Sequence, residues 1–360
     1  MGLPSLRIKD FTLRIPIIQG GMGAGISMAP LAKAVAQEGA MGVVSSVALD
    51  ILTSNRVGKK LNTYEATIQE IKDAKRDGGI VGINIMVALF KDYEEAVRGA
   101  LDAGVDAIIS GAGLPLQLPE IARRHKKEFR TALIPIVSSD RALEIVCKRW
   151  TRFGYLPDAV ILEGPLAGGH LGWKRISDIK KEENKLENLL PPVLKAIKKY
   201  GEIPVIVAGG IYTHKDIVRF LEMGASGVQM GTRFLATYES SATEEFKEMV
   251  IKCKKEDIIV AENPGSPCGM LFRLIKQSPM YQDTLQALRP PKCDRGYVLY
   301  NNYCPAMDNN KDYFCICNGL LGATIYARTD EKPLYTVGEN AWRINRLLSV
   351  KELINELVGD

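Results

Sequence analysis

Histidine and tryptophan are scarce in this sequence, with three of each among 360 residues. No apolar run reaches the roughly 18 residues of a membrane-spanning helix. The opening MGLPSLRIKDF lacks a signal-peptide pattern, so the chain is expected in the cytoplasm, away from any membrane. The net charge of +5 is not gathered into a basic cluster interleaved with aromatics. Lysines and glutamates alternate in KRISDIKKEENKLEN as on solvated helix faces, so nucleic acid is not an expected partner. Cysteine is sparse as well, and its spacing matches no standard metal-ligand pattern, so no metal is expected.

What is present is the composition of a globular protein with ample core, 46% hydrophobic and 25% charged. The length suits two ordinary domains or one barrel of roughly 250 residues with an appendage. The order of segments chooses between them. Short apolar runs, IPIIQG (15–20), MGVVSS (41–46), IVGINIM (80–86), VDAIISG (105–111), ALIPIVSS (132–139), DAVILEG (158–164), IPVIVAGG (203–210) and ASGVQMG (225–231), alternate with amphipathic stretches. Several of those stretches end in glycine, the usual helix C-cap. Eight strand–helix units in that length predict an α/β fold, a (β/α)8 TIM barrel, rather than an open sheet.

Active sites in such barrels lie at the C-terminal ends of the strands. Here those ends carry small residues: Gly21 and Gly23, Ser45 and Ser46, Asn84, Ser138 and Ser139, Gly164, Gly209 and Gly210. Small residues there leave room for a large flat ligand. Glycines closing the last two strands would let backbone N–H groups approach a phosphate, although they also suit tight turns. One of the three histidines, His170, stands in EGPLAGGHLGW just after the sixth strand. An imidazole can take or give a proton at physiological pH, and a proton transfer of this kind contributes about 10²–10⁴ in rate. His125, in RRHKKE, reads as a solvated helix residue, and His214, after the potential N-cap Thr213, as an exposed first-turn residue.

The motifs PIIQGGMG, GINIM, SGAGLP, EGPLAGGHLG, PVIVAGGI and GASGVQMGTRF, over roughly residues 10–275, resemble in order and spacing the nitronate monooxygenase (2-nitropropane dioxygenase) family of FMN enzymes. That family includes the flavin-dependent enoyl-acyl-carrier-protein reductases of the second type. The resemblance implies FMN as cofactor. Gly21, Met22 and Gly23 would pass beside the flavin, Asn84 would hydrogen-bond it, and Gly168 and Gly169 would flank it. Glu163 belongs to the same implied cofactor set. Gly209, Gly210, Gly231 and Thr232 would hold the phosphate, and His170 matches the histidine assigned proton transfer. One departure is Leu166, where the family commonly has a second glutamate.

The resemblance leaves two reactions open, oxidation of an alkyl nitronate and NAD(P)H-dependent reduction of an enoyl thioester or quinone. GGMGAG is only a loose match to a dinucleotide fingerprint and decides neither. A flavin-binding protein without catalysis is a third alternative, kept open by Leu166. The expected ligand is a small molecule, and a homodimer is left open.

Beyond residue 275 the barrel rhythm stops. CDRGYVLYNNYCPAMDNNKDYFCICNG brings together Cys293, Cys304, Cys315 and Cys317, which admit packing, a redox or substrate-contacting thiol, or a metal. Cys147 and Cys253, in helical runs, read as core. The expected organisation is a flavin-binding barrel over 1–261, a cysteine-containing lid over 262–345 and a C-terminal helix over 346–360. Similar endings accompany some nitronate monooxygenases, which favours the first reaction. Asn340, Trp342 and Arg343 are the candidates to face the site from the lid, and Ser349 with Glu352 forms a capping box for the last helix.

Overall fold

The computed structural model describes residues 2–88, 90–293, 295–296 and 303–359, so Tyr297 to Asn302 of the cysteine-bearing segment lie outside the described residues. A hairpin of β1 (Leu6–Ile8) and β2 (Phe11–Leu13) comes first. Next come β3 (Ile17–Gln19), β4 (Met41–Ser45), β5 (Ile80–Met86), β6 (Ala107–Gly111), β7 (Ala132–Val137) and β8 (Val160–Glu163). After β9 (Gly169–Leu171), which stands apart, follow β10 (Val205–Ala208) and β11 (Gly227–Met230). The eight strands other than β1, β2 and β9 form a closed parallel barrel in which β11 pairs back onto β3. Each of the eight expected runs contains one of these strands.

Parallel strands covered by helices are buried on both faces, which is why the runs are apolar without alternation. Ile18, Met41, Val43, Ile109, Ile134, Ile161 and Ile206 fill the barrel interior, and Leu6, Ile8 and Leu13 of the hairpin join that cluster. Leu6 lies against Gly227 at the start of β11, so the hairpin plugs the N-terminal mouth and leaves the opposite mouth for function.

Local chemistry fixes the helix starts. Asn62 and Glu65 form a capping box on helix Thr63–Lys75, Thr213 and Asp216 one on His214–Glu222, and Ser349 and Glu352 one on Val350–Val358. Each satisfies backbone donors that a helix leaves unpaired, typically worth about 1 kcal/mol. The last helix buries Val350, Leu353, Ile354 and Leu357 in the core between barrel and helices. Among the described residues no helix is long and apolar enough to cross a membrane.

After the barrel, β12 (Ile258–Ala261) and β13 (Leu271–Ile275) form an antiparallel sheet with β9 from the β8–β10 connection. This sheet spans the boundary expected at residue 261. Phe272, Leu274, Met280, Phe314, Ile316 and Leu334 form a separate small core beneath it.

Candidate active site

The open mouth holds a cavity of about 640 Å³, within the usual range for ligand pockets. All of Gly21, Met22, Gly23, Asn84, Glu163, Gly168, Gly169, His170, Gly209, Gly210, Gly231 and Thr232 line it. Chain folding thus brings together the twelve residues expected from the barrel motifs, from both ends of the barrel's order.

The glycines after β10 have a backbone reason. Gly209 and Gly210 adopt φ of +92° and +87°, where a side chain is strained, so the chain can turn sharply at the strand end. Gly231 differs: a Cβ there would meet only Met22, at 3.6 Å, so its backbone stands open to the cavity. Gln229 on β11 lines the same space, and its Oε1 is buried without a hydrogen-bond partner. A buried acceptor of this kind costs free energy unless a ligand donor meets it. The shape, the bare glycines at the strand ends and this orphaned acceptor fit a large group that carries N–H donors, as a flavin does.

His170 is not in a loop. It lies on β9, opposite Phe272 of β13, and the two rings meet edge to face with centroids 4.9 Å apart at 89°. Its other neighbour is Cys268, which sequence reasoning missed. The Cys268 sulfur lines the cavity 2.9 Å from the Ser266 hydroxyl, with the His170 ring and the Met270 backbone N–H beside it. Burial pushes this thiol up, but the hydrogen bond and charge of His170, with Ser266 and Met270, outweigh it and bring it down to about 7.

Glu163, at the end of β8, has the opposite shift. Burial alone pushes its carboxyl up to about 7, so it holds its proton far above the usual carboxylate range.

Four residues of the C-terminal segment stitch the mouth together. The Leu166 carbonyl accepts from Glu339 N–H at 3.1 Å, and Thr232 Oγ1 accepts from Gly338 N–H at 2.9 Å. Asn340 Nδ2 donates to the Gly210 carbonyl at 2.6 Å, and Val337 packs so closely on Gly168 that a Cβ there would come within 2.5 Å of its carbonyl carbon. Beneath them the buried Arg273 guanidinium donates to the Pro165 carbonyl at 2.8 Å and to the Ala167 carbonyl, and its Nε lies 3.0 Å from Glu339. Three consecutive carbonyls before His170 are therefore held by the C-terminal segment. Leu166, at the position of the family's second glutamate, itself lines the cavity with its side chain.

Other expectations need correction. Asn340 lines the cavity, but Trp342 and Arg343 do not. Trp342 is 41% exposed, and Arg343 lies over the Tyr212 ring at 4.1 Å, because in the short 3₁₀ turn Ala341–Arg343 it is Ala341 that faces the cavity and the next two side chains are carried round to other directions. His214 is half-buried rather than exposed, its Nδ1 2.9 Å from the Leu357 carbonyl of the terminal helix. His125 sits at the end of its helix, 2.9 Å from Asp102. Cys147 and Cys253 are buried, as expected of core residues. Cys304 and Cys315 are also buried, whereas Cys293 and Cys317 are half-buried and Cys317 lines the cavity. Among the described residues no group of three or more His, Cys, Asp or Glu side chains is arranged to hold a metal ion.

Comparison with known proteins agrees with this picture. A family model described as nitronate monooxygenase matches residues 5–360. A probable nitronate monooxygenase of Bacillus subtilis (strain 168) is 26% identical, with 97% of each chain covered. FabK from Thermotoga maritima superposes with a TM-score of 0.71 at 25% identity, covering 96% of this chain and 92% of that one. A nitroalkane oxidase from Streptomyces ansochromogenes, at 22% identity and a TM-score of 0.66 over 96% of this chain and 95% of its own, shares the fold.

Proposed function

The chain belongs to the nitronate monooxygenase family, and on that premise we propose that it is an FMN-dependent oxidoreductase that oxidises alkyl nitronates, with His170 moving the proton. The observation that carries this proposal is the juxtaposition of His170 with the glycine-lined cavity at the barrel mouth. The flavin, when bound, supplies the electron acceptor; the protein supplies position and proton traffic.

In this proposal Gly21, Met22 and Gly23 on one side and Gly168 and Gly169 on the other bound the flavin, with Asn84 and Gln229 offering polar contacts. Gly209, Gly210, Gly231 and Thr232 hold its phosphate. Edge-to-face packing on Phe272 orients the His170 ring, with Cys268 beside it on the cavity wall, so the imidazole can hold or release a proton beside a bound carbon acid. Glu163 remains protonated to about pH 7 and keeps an additional negative charge away from the site. His170→Ala is expected to retain FMN while turnover falls about 10²-fold or more; normal turnover in that variant would refute the assignment.

A second reaction is favoured by the likeness to FabK at 25% identity: NAD(P)H-dependent reduction of an enoyl thioester or quinone. The flavin-containing protein separates the two under anaerobic conditions. Loss of flavin absorbance on adding an alkyl nitronate supports nitronate oxidation. Rapid loss with NAD(P)H alone moves the protein to the reductase reaction.

A further inference from the structure

Among Cys147, Cys253, Cys268, Cys304 and Cys315, Cys268 alone has its thiol shifted downward. Burial pushes Cys147 up to about 12 and Cys253 up to about 11, and it raises Cys304 and Cys315 as well. Those four behave as small apolar side chains. Cys268 instead stands on the cavity wall, 2.9 Å from the Ser266 hydroxyl, with the His170 imidazole, which lines the same cavity, and the Met270 N–H beside its sulfur. Such surroundings favour a thiolate, which is the nucleophilic form of cysteine. Among the described residues, His170 on β9 and the Cys304 thiol are titratable groups set against it, Cys304 being raised first by burial and then by its neighbours Cys293, Cys315 and Cys268, and Cys317 lines the same cavity.

We propose that Cys268 and His170 form a nucleophilic pair that adds reversibly to α,β-unsaturated carbonyl compounds entering the cavity. Leu171, Met270, Phe272 and Ile316 line the wall near the pair and offer an apolar surface to the chain of such a compound. The step balances without an oxidant or reductant. The Cys268 proton passes to His170, and the sulfur lone pair forms a bond to the β-carbon. The π pair of the double bond moves toward the carbonyl, and the α-carbon takes the proton back from His170. The product is a thioether, nothing is oxidised or reduced, and reversal restores thiol and alkene. This goes beyond the flavin reaction and does not depend on it, because the pair exists in the chain itself.

The test uses the full-length protein with its bound cofactor, treated at pH 6.5 with limiting acrylamide, the conjugate acceptor, or with iodoacetamide, which reports thiolate alone. Labelled positions are then read by peptide mass spectrometry. A thiol near 7 holds far more thiolate at that pH than an ordinary one near 8.5–9, and allowing for its weaker intrinsic nucleophilicity the net advantage is about tenfold. Cys268 is therefore expected to react with both reagents about tenfold faster than an ordinary thiol, and by a wider margin still than the buried Cys147, Cys253, Cys304 or Cys315, whose thiols are raised. His170→Gln is expected to remove most of that advantage, and Ser266→Ala a smaller part, serving also as a check should the histidine variant fold poorly. Labelling of Cys268 no faster than the buried cysteines overturns the proposal. So does fast reaction with iodoacetamide but not acrylamide, or an unchanged rate in both variants. None of these outcomes bears on whether a nitronate bleaches the flavin, so the two proposals fail separately.

Discussion

Two buried charge clusters hold this molecule together, and they work in different places. In the barrel's helical layer, Glu70 is fully buried and gathers Arg56 at 2.7 Å, Thr53 Oγ1 at 3.1 Å and the Ala29 N–H at 2.8 Å. Burial pushes its carboxyl up while Arg56 pulls it down, and the cluster ties three helices of one local neighbourhood. At the mouth, Arg273 joins Glu339 to the carbonyls of Pro165 and Ala167, residues more than a hundred positions away. The first cluster maintains the scaffold. The second makes the shape of the site depend on a segment that is not part of the barrel.

Removing one partner of a buried pair strands the other, at a typical cost of about 3–5 kcal/mol. Arg273→Met and Arg56→Met should both lower stability by amounts of that order, read from urea unfolding. Only Arg273→Met should also release the flavin, seen as free flavin after gel filtration under conditions where the protein remains folded. Equal flavin loss in the two variants would break the distinction between scaffold and clasp.

Glu163 sharpens it from the barrel side. Its folded carboxyl titrates near 7, above the roughly 4.3 of an unfolded chain, so the folded state binds more protons between those values. Stability contributed by this group therefore falls as pH rises through that window and is lost above about 7. Glu163→Gln removes the penalty. Its stability gain over the parent should be larger at pH 8 than at pH 5 by about 1–2 kcal/mol, allowing for screening by the open cavity. A gain independent of pH would mean that the carboxyl is not held neutral by burial.

Gly168 tests the contact between the two regions directly. A methyl group there would meet the Val337 carbonyl carbon at 2.5 Å and the Gly338 nitrogen at 2.7 Å, both backbone atoms that cannot rotate away. Gly168→Ala should cost about 1–3 kcal/mol, and weaken flavin binding while leaving the far-ultraviolet circular dichroism of the barrel unchanged. Unaltered stability and flavin binding would show that the clasp is looser than its distances indicate.

How much of this was legible follows the same division. The barrel could be read because parallel strands buried on both faces must be apolar runs and because caps such as Thr213 with Asp216 declare helix starts locally. The site glycines and His170 could be read because strand ends of a closed barrel converge whatever the loops do. The partners of His170 could not. Phe272 and Cys268 reach it only because β13 pairs with β9 across a hundred residues, and no periodicity encodes that pairing. The clasp is equally hidden, since Arg273, Asn340 and Thr232 meet backbone groups about a hundred residues away along the chain, and no local pattern encodes those contacts.

Trp342 gives the smallest expected effect and the cleanest check of that reasoning. Aromatic character and position nominated it to face the site, yet it is 41% exposed on a 3₁₀ turn whose neighbour Asn340 makes the contact to Gly210 instead. An exposed side chain away from caps, pairs and cavities usually contributes within about 0.5 kcal/mol. Trp342→Ala should therefore leave flavin content, kcat and KM unchanged, whereas Asn340→Ala, two residues earlier, should weaken flavin binding by removing the 2.6 Å hydrogen bond to the Gly210 carbonyl. Reversal of that order in steady-state kinetics and flavin titration would mean that composition had located the site better than the backbone path does.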